Sequence, residues 1–584
     1  MNAPSRRPWT LASPSAEPLA ALQRLSGVTP LQARLLANRG HQADEACKAH
    51  LQQGLELHDP MQLPDMQAAV ERLHRAVEER ETILVHGDYD VDGVTGTTIL
   101  VRLLRLLGAS VEWHIPHRMR DGYSFGDHSI ARAEAVGARV VVSVDNGTSA
   151  VEVIRQLKER GIDTVVTDHH EPPLGDLPPA VAIVNPKLPG SEYPFRELCG
   201  GAVAFKLAWG LCQRVTGAAR VRPDLREFLI DSMSLVAVAT VCDVVPLLDE
   251  NRSLARSGLR SLAATQHAGT RALLRVCRLD KQQLTASDVG FGIGPRLNAA
   301  GRLDSAARSV ELLLCEDEGR ARVLAEELEA LNTQRKAMTE TLLESARAQA
   351  RLFGDAAEWP VLVLGKQGWH QGLVGIAAGR LVEEFGRPAL VIGFDGEEGR
   401  GSARTVEGVD VLELMHAGKE HMQRYGGHAQ AAGCEARLED LPALREAICS
   451  AAREAGVADR SGPAPLQVDA ELPWSEVSES LQRQLDHLAP WGERNAEPLF
   501  LSSGVRLAEP ARAVGDGKHL LLKLRDGDAV LKAMAFFQGD RIAELQQGVD
   551  LHVVFTPTWN EFRGQRNLEV RLLDFAVGER PQLG

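Results

Sequence analysis

Cysteine pairs, long apolar runs and a surplus of positive charge are all missing from this chain of 584 residues. Its eight cysteines, at positions 47, 199, 212, 242, 277, 315, 434 and 449, are scattered and include no Cys-x-x-Cys pair. That spacing argues against a zinc ribbon or a disulfide framework and for a reducing cytoplasm. The longest apolar stretch, Ser234–Cys242, falls far short of the roughly 18 residues that span a membrane, so it reads as a buried helix or strand and no membrane partner is expected. The opening MNAPSRRPWTLASPS has no apolar signal-peptide core. No GxxxxGK[ST] phosphate loop occurs, so an ATPase or helicase would lack its central part. The formal net charge of −14 sets up a field that repels nucleic acid. Any such contact must come from local basic groups and bound cations.

What is present is the composition of a soluble globular protein, 44% hydrophobic and 25% charged, with length enough for three or four domains. Residues 1–60 read as a polar helical segment. From about 80 to 185, short β-branched runs (Thr82–Val85, Val111–Ile115, Val140–Val144, Thr164–Thr167, Val181–Val184) alternate with helical patterns such as Val94–Leu107 and Ala150–Arg160. This predicts a parallel sheet with helices on its faces. Residues 200–275 are mostly helical in pattern, and Arg320–Phe353, free of Gly and Pro, predicts one helix about 50 Å long between two domains. A second α/β region follows, with strands at Val361–Leu364 and Ala389–Ile392 and a helix near Leu373–Phe385. After a Pro/Gly/Ser linker at Ala458–Pro465, short strands with glycine turns predict a small β-barrel. The boundaries expected are 1–60, 61–318 for the first α/β domain, 319–354 for the connecting helix, 355–457 for the second α/β domain and 464–578 for the barrel.

The chemistry concentrates where apolar segments end. His86-Gly-Asp-Tyr-Asp-Val-Asp-Gly93 directly follows Thr82–Val85, and its three carboxylates repel one another unless cations or the amides of a helix start offset the charge. A solvated acidic turn is the plain alternative. Three further apolar runs end alike, at Asp145, at Asp168-His169-His170 and at Asp243. Carboxylate and imidazole without thiolate suits Mn2+ or Mg2+ rather than structural zinc. Two such ions sharing a bridging carboxylate would activate water and clamp a phosphoryl displacement.

These residues carry a resemblance. HGDYDVDGVTG (86–96), SVDNGT (143–148), TDHH (167–170), GPRLNAAGR (294–302), GWHQGLVGIAAGRL (368–381), GSAR (401–404) and YGGHAQAAG (425–433) stand in the order of the RecJ branch of the DHH phosphoesterase superfamily. The likeness spans roughly residues 60–575. It implies a DHH domain with a parallel sheet, a long connecting helix, a second α/β domain of the DHHA1 type and a C-terminal OB-like β-barrel. The implied activity is a 5′→3′ exonuclease specific for single-stranded DNA, releasing 5′ mononucleotides in recombination and repair. A RecQ-type helicase and a single-stranded-DNA-binding protein are the implied partners. Two divalent cations, Mn2+ or Mg2+, would be held by Asp90, Asp92, Asp145, His169 and Asp243, with Asp145 as the bridge. Asp168 would orient an imidazole, His170 would face the scissile phosphate, His86 stands where many phosphoesterases of the superfamily place a ligand, and Asp88 reads as a turn residue.

The same resemblance assigns Arg118, Ser402, Arg404 and His428 to the 5′ phosphate and adjacent backbone, and Arg296, Asn298 and Arg302 to the path of the strand. Arginine presents a planar fork matched to phosphate oxygens; taken singly, an arginine is more often a surface ion-pair residue. Tryptophans 369, 474, 491 and 559 are candidates for base stacking or for core packing. Gly122-Tyr-Ser-Phe-Gly126 matches the GxSxG pattern of serine hydrolases, but the polar residues before it are no buried strand. Two other functions stay in play: a DHH-family phosphoesterase for short oligonucleotides or cyclic dinucleotides, and a non-catalytic single-strand-binding scaffold.

Overall fold

The computed structural model describes residues 7–121, 125–279, 281–562 and 565–584; Gly122, Tyr123 and Ser124 of the hydrolase-like pattern lie outside them. The chain forms two compact units. One is built on Ala299–Asp304 and Glu327–Leu466, the other on Trp9–Asn298, Ser305–Glu326 and Gln467–Gly584. Among the described residues no helix is long and apolar enough to cross a membrane.

The larger unit contains a five-stranded, all-parallel sheet of β1 (Thr82–His86), β2 (Ser110–His114), β3 (Val140–Val144), β4 (Asp163–Thr167) and β5 (Ala182–Val184) in the order β2-β1-β3-β4-β5. β3, Val-Val-Val-Ser-Val, is buried at every position, as a strand covered on both faces must be, which is why its sequence is continuous rather than alternating. The order reverses between β1 and β3. At such a switch point the loops leaving the two carboxyl ends diverge and open a crevice. Helix α1 (Val91–Leu106) leaves β1, and α2 (Gly200–Thr216) and α3 (Pro223–Cys242) follow the sheet. The apolar run at 234–242 is the end of α3, buried around nearly its whole circumference, so it carries no helical period to separate it from a strand.

Helix α4 (Glu318–Ala350) is one helix of 33 residues and runs from the larger unit into the smaller. The smaller unit holds β6 (Leu362–Gln367), α5 (Val374–Phe385), β7 (Ala389–Asp395), β8 (Glu398–Arg404), β9 (Arg424–His428) and β10 (Ala431–Arg437). Its sheet order is β9-β10-β8-β7-β6, with only β6 and β7 parallel. The expected strands are β6 and β7. The other three escape sequence reading because Gly, Ala, Arg and Glu fill them and no β-branched residue marks them.

The C-terminal strands β11 (Phe500–Leu507), β12 (His519–Asp526), β13 (Ala529–Ala535), β14 (Leu551–Phe562) and β15 (Gln565–Val577) close into a ring. β11 pairs with β14, β14 with β15, β15 with β13, β13 with β12, and β12 returns to β11. Closure leaves no edge within the ring. The sequence boundary that sets residues 1–60 apart is not one the packing respects. Leu22, Ala33, Leu35, Leu36 and Cys47 are fully buried in one core with Phe500, Leu522, Phe555 and Phe575. Arg252 and Arg256 tie this assembly to the parallel-sheet region, donating to the carbonyls of His50 and Gln52 and of His487 and Ala489. Trp474 and Trp369 are core residues, 1% and 7% exposed, so neither is a base platform.

A shared core predicts that Leu35→Ala, which leaves a cavity costing about 2–5 kcal/mol, loosens strands hundreds of residues away. Hydrogen exchange in β11 and β14 should accelerate in this variant; unchanged protection there would mean that the N-terminal helices fold apart from the barrel.

Candidate metal centre and anion site

Four segments deliver carboxylates and imidazoles to the carboxyl edge of the parallel sheet. β1 runs into the loop of Asp88 and Asp90, Asp92 lies in the first turn of α1, β3 and β4 lead to Asp145 and to Asp168-His169-His170, and α3 is capped by Asp243. Asp145 sits at φ 64°, a left-handed conformation that a non-glycine residue keeps only under constraint. Its amide donates to the Thr167 carbonyl at 2.9 Å. Asp90 caps α1, accepting from the amides of Asp92 and Gly93 at 2.9 and 3.1 Å. Asp92 accepts from the amides of Gly200 and Gly201 at 2.6 and 2.7 Å, where the positive end of α2 offsets its charge. Only glycine fits there: a Cβ on Gly200 would stand 2.6 Å from Oδ1 of Asp145.

The ligand atoms converge without bonding one another. Nε2 of His169 lies 3.1 Å from Asp145 Oδ1, 3.6 Å from Asp243 Oδ2 and 3.7 Å from Asp92 Oδ2. Yet both ring nitrogens of His169, Oδ1 of Asp145 and Oδ1 of Asp88 are buried with no hydrogen-bond partner. Buried polar atoms are rarely left so, and a shared cation is what such a set fits. Three overlapping groups each keep their ligand atoms within 4.8 Å: Asp92, His169 and Asp243; Asp145, His169 and His170; Asp88, Asp90 and Asp145. Asp145 belongs to two of them, the arrangement that a bridging carboxylate requires. Asp88, read from sequence as a turn residue, stands among the carboxylates.

Burial, then mutual repulsion, raises the carboxyl groups of Asp92, Asp145 and Asp243 above the ordinary range, and burial with the charge of Asp90 raises Asp88. Burial followed by the neighbouring His170 lowers His169 to about 3, leaving the neutral ring that a cation requires. Asp168 has a different task. It accepts from the amides of Thr148, His169 and His170 and from Nδ1 of His170 at 2.8 Å. The imidazole it orients is therefore that of His170. Burial lowers His170, but the Asp168 hydrogen bond and charge outweigh it and raise the ring to about 9, so it is a cation at neutral pH.

Of the remaining expected residues, Arg118 stacks its guanidinium 4.3 Å from the Tyr89 ring, inside the carboxylate loop. His86 groups instead with His114 and His128. In the smaller unit, Ser402 and Arg404 occupy one face of β8, and the register His428–Ala431–Arg404 places His428 in the row of Arg404. Gly426 and Gly433 fill the Ser402 row and leave bare backbone beside it. Arg404 donates to the Ser402 hydroxyl at 2.8 Å, and Gly375, in the first turn of α5, clears space for both side chains. An arginine, a hydroxyl and a helix N-terminus are the groups with which proteins hold anions. Arg296 is bound to the carbonyls of Gly292 and Val276, and Arg302 to that of Gly372, so both have structural anchors; Asn298 is half-buried.

Sequence reasoning missed Phe291. It is 83% exposed on a π-helical turn, Val289–Ile293, between Gly290 and Gly292. This turn packs on the end of α3, where a Cβ on Gly294 would meet Sγ of Cys242, the neighbour of Asp243, at 2.5 Å. An aromatic between two glycines just ahead of GPRLNAAGR was the available signal.

Known protein families share this architecture. A model of the DHH family N-terminal domain matches residues 82–240, one of the DHHA1 domain matches 358–454 and one of the RecJ OB domain matches 468–574. The single-stranded-DNA-specific exonuclease RecJ of Salmonella typhimurium is 36% identical over 564 residues, 93% of this chain and 95% of that protein. The crystal structure of RecJ from Thermus thermophilus in complex with Mn2+ superposes with a TM-score of 0.79 at 31% identity, covering 98% of this chain and 80% of the other. Its complex with Mg2+ gives 0.72 at 28% identity, covering 98% and 79%.

The raised carboxyl groups have a consequence of definite sign. A group whose folded-state pKa lies above its unfolded value stabilises the fold while protonated and loses that contribution as pH rises. Without metal, the cluster should therefore cost more stability at pH 8 than at pH 5.5, and Mn2+ should relieve that cost. The gain in melting temperature on adding saturating Mn2+ should be larger at pH 8, and smaller at both pH values in Asp145→Asn. Equal gains at the two pH values in the native protein would remove the repulsion argument.

Proposed function

Since the chain belongs to the RecJ family of single-stranded-DNA-specific exonucleases, we propose that its carboxylate and histidine cluster hydrolyses a single strand from the 5′ end, one nucleotide at a time. The enzyme is a divalent-metal-dependent nuclease. The observation that carries the assignment of the site is the convergence of Asp92, Asp145, His169 and Asp243, with Asp145 Oδ1 and both His169 ring nitrogens buried and unpartnered. With Asp90 they form the proposed holding set for two cations, Asp145 lying between. When bound, Mn2+ or Mg2+ supplies the Lewis acidity that activates water and neutralises phosphate charge.

The chain's own residues do the rest. Asp168 keeps His170 protonated, so a positive ring faces the half-exposed mouth of the site, where it attracts the scissile phosphate and has a proton to give to the departing oxygen. Arg118, its guanidinium over the Tyr89 ring, adds a second cation beside the loop. Phe291 offers a rigid aromatic face on which a base can stack, a contact worth about 1–3 kcal/mol. Ser402, Arg404 and His428 are the proposed 5′-phosphate pocket, because a metal pair attacks any phosphodiester presented to it and cannot by itself tell one end of a strand from the other. The catalytic work is assigned to 61–318, end recognition to 355–457 and retention of longer strands to the barrel at 464–578. A RecQ-type helicase and a single-stranded-DNA-binding protein are the partners we infer from the resemblance alone, and the eight free cysteines support a cytoplasmic setting. The complete ligand set counts against a non-catalytic scaffold, and the RecJ-type barrel against a hydrolase of cyclic dinucleotides.

Asp145→Asn should abolish Mn2+-dependent release of nucleotides from 5′-labelled single-stranded DNA while circular dichroism stays native. Near-normal turnover in the folded variant would overturn the two-cation assignment. Arg404→Ala removes a charge-assisted contact worth about 2 kcal/mol, or roughly thirtyfold in binding, and the loss should be larger for 5′-phosphorylated than for 5′-hydroxyl strands. An equal loss on both substrates would make Arg404 a general backbone contact and put the end-sensing pocket elsewhere.

A further inference from the structure

One cluster of titratable side chains lies outside the nuclease machinery. At the carboxyl edge of the same sheet, on the β1–β2 side, three histidines from separate segments meet. His86 ends β1, His114 ends β2 directly opposite it in the strand register, and His128 opens the helix Asp127–Ala135. One ring nitrogen from each lies within 4.8 Å of the other two. The closest pair, Nε2 of His114 and Nδ1 of His128, is 3.3 Å apart. Two imidazole nitrogens each about 2.0–2.1 Å from one tetrahedral ion stand at nearly that separation.

A second observation points to a ligand. His86 is completely buried, its Nε2 lies 2.9 Å from the Ser129 hydroxyl, and its Nδ1 has no hydrogen-bond partner. With Ser129 accepting from Nε2–H, Nδ1 keeps a lone pair in a dry interior. Ligating histidines are ordinarily held by an outer hydrogen-bond partner on one ring nitrogen. Burial, and then the adjacent rings, keep His86 far below its ordinary value, and burial, with His128 and Arg132, lowers His114 to about 4, so both rings are neutral and able to coordinate. A cavity of about 380 Å³ lies beside the His114 end of the cluster, lined by His114, Ile115, Glu112 and Arg132, the last two paired at 3.2 Å.

We propose that His86, His114 and His128 form a second metal site, selective for zinc-class transition ions over Mn2+ and Mg2+, with its fourth position open to solvent. Three imidazoles and no carboxylate suit Zn2+, Ni2+ or Cu2+, whereas the Asp-rich centre suits harder ions. The site joins β1, β2 and the helix Asp127–Ala135, and it is continuous with the catalytic loop, since the amide of Gly87 donates to the His114 carbonyl at 3.0 Å. An ion there would pin the base of that loop.

The test uses the full-length protein, stripped with chelator and titrated with Zn2+ by calorimetry and with Co2+ by visible absorption, in the native form and as His114→Gln, His128→Gln and Asp145→Asn. Neither histidine belongs to the nuclease site, so Mn2+-dependent nuclease activity and the thermal melt report whether each variant folds. The expected result is one Zn2+ equivalent, with the intense band of tetrahedral cobalt, that either histidine substitution weakens more than about a hundredfold and that Asp145→Asn leaves in place. Identical stoichiometry and cobalt spectra in the native protein and both histidine variants would overturn the proposal. So would loss of the tetrahedral equivalent in Asp145→Asn alone, which would put the zinc in the carboxylate centre.

Discussion

The clasp between the Asp92 carboxylate and the amides of Gly200 and Gly201 joins two helix starts 108 residues apart in sequence. Without it, α1 would bring a second carboxylate next to Asp90 with nothing to offset the charge, and α2 would have no anion at its positive end. The same contact sets the depth of the site. Gly200 touches Asp145, and the left-handed turn at Asp145 brings that carboxylate beneath His169. The distances from His169 to three carboxylates from three elements are then consequences of one backbone arrangement. Asp90 and Asp92 are oriented by amides before any cation arrives, which is the preorganisation that electrostatic catalysis depends on.

Much of this was legible in the sequence, for identifiable reasons. Parallel strands buried on both faces are written as unbroken β-branched runs, so the sheet and its carboxyl-end aspartates could be located, and a helix without Gly or Pro over some thirty residues is hard to mistake for anything else. What stayed hidden was of another kind. Strands β8 to β10 lack the usual strand residues, and Gly426 and Gly433 leave bare backbone in the row of Ser402. Asp88 looked like a turn residue because its proximity to Asp145 depends on the β1–β3 pairing. The three-histidine cluster is invisible for the same reason: positions 86, 114 and 128 become neighbours only through the register of β1 and β2 and the return of a helix.

The larger unit also carries a fully buried ion pair, Lys206–Glu250 at 2.6 Å, with both side chains 0% exposed. The Lys206 ammonium donates to the His58 carbonyl, and the Tyr193 hydroxyl donates to Glu250. Taking two charges out of water is costly, and such pairs seldom contribute net stability over a well-packed apolar alternative. Here the pair joins α2, whose first amides hold Asp92, to the helix Asp249–Ala264, whose arginines bind the carbonyls of the N-terminal and barrel segments. It fixes the position of α2 more than it strengthens the core.

Trp9 donates its indole N–H to Asp574, a contact that closes over 565 residues. Because the N-terminal helices and the barrel share their buried residues, the helices lack their core partners until the barrel, which lies far downstream, has been made. During that interval Leu22, Leu35 and Leu36 are exposed apolar surface, the condition under which large chains aggregate or engage chaperones. Strands made late in synthesis thus complete the core of helices made long before them.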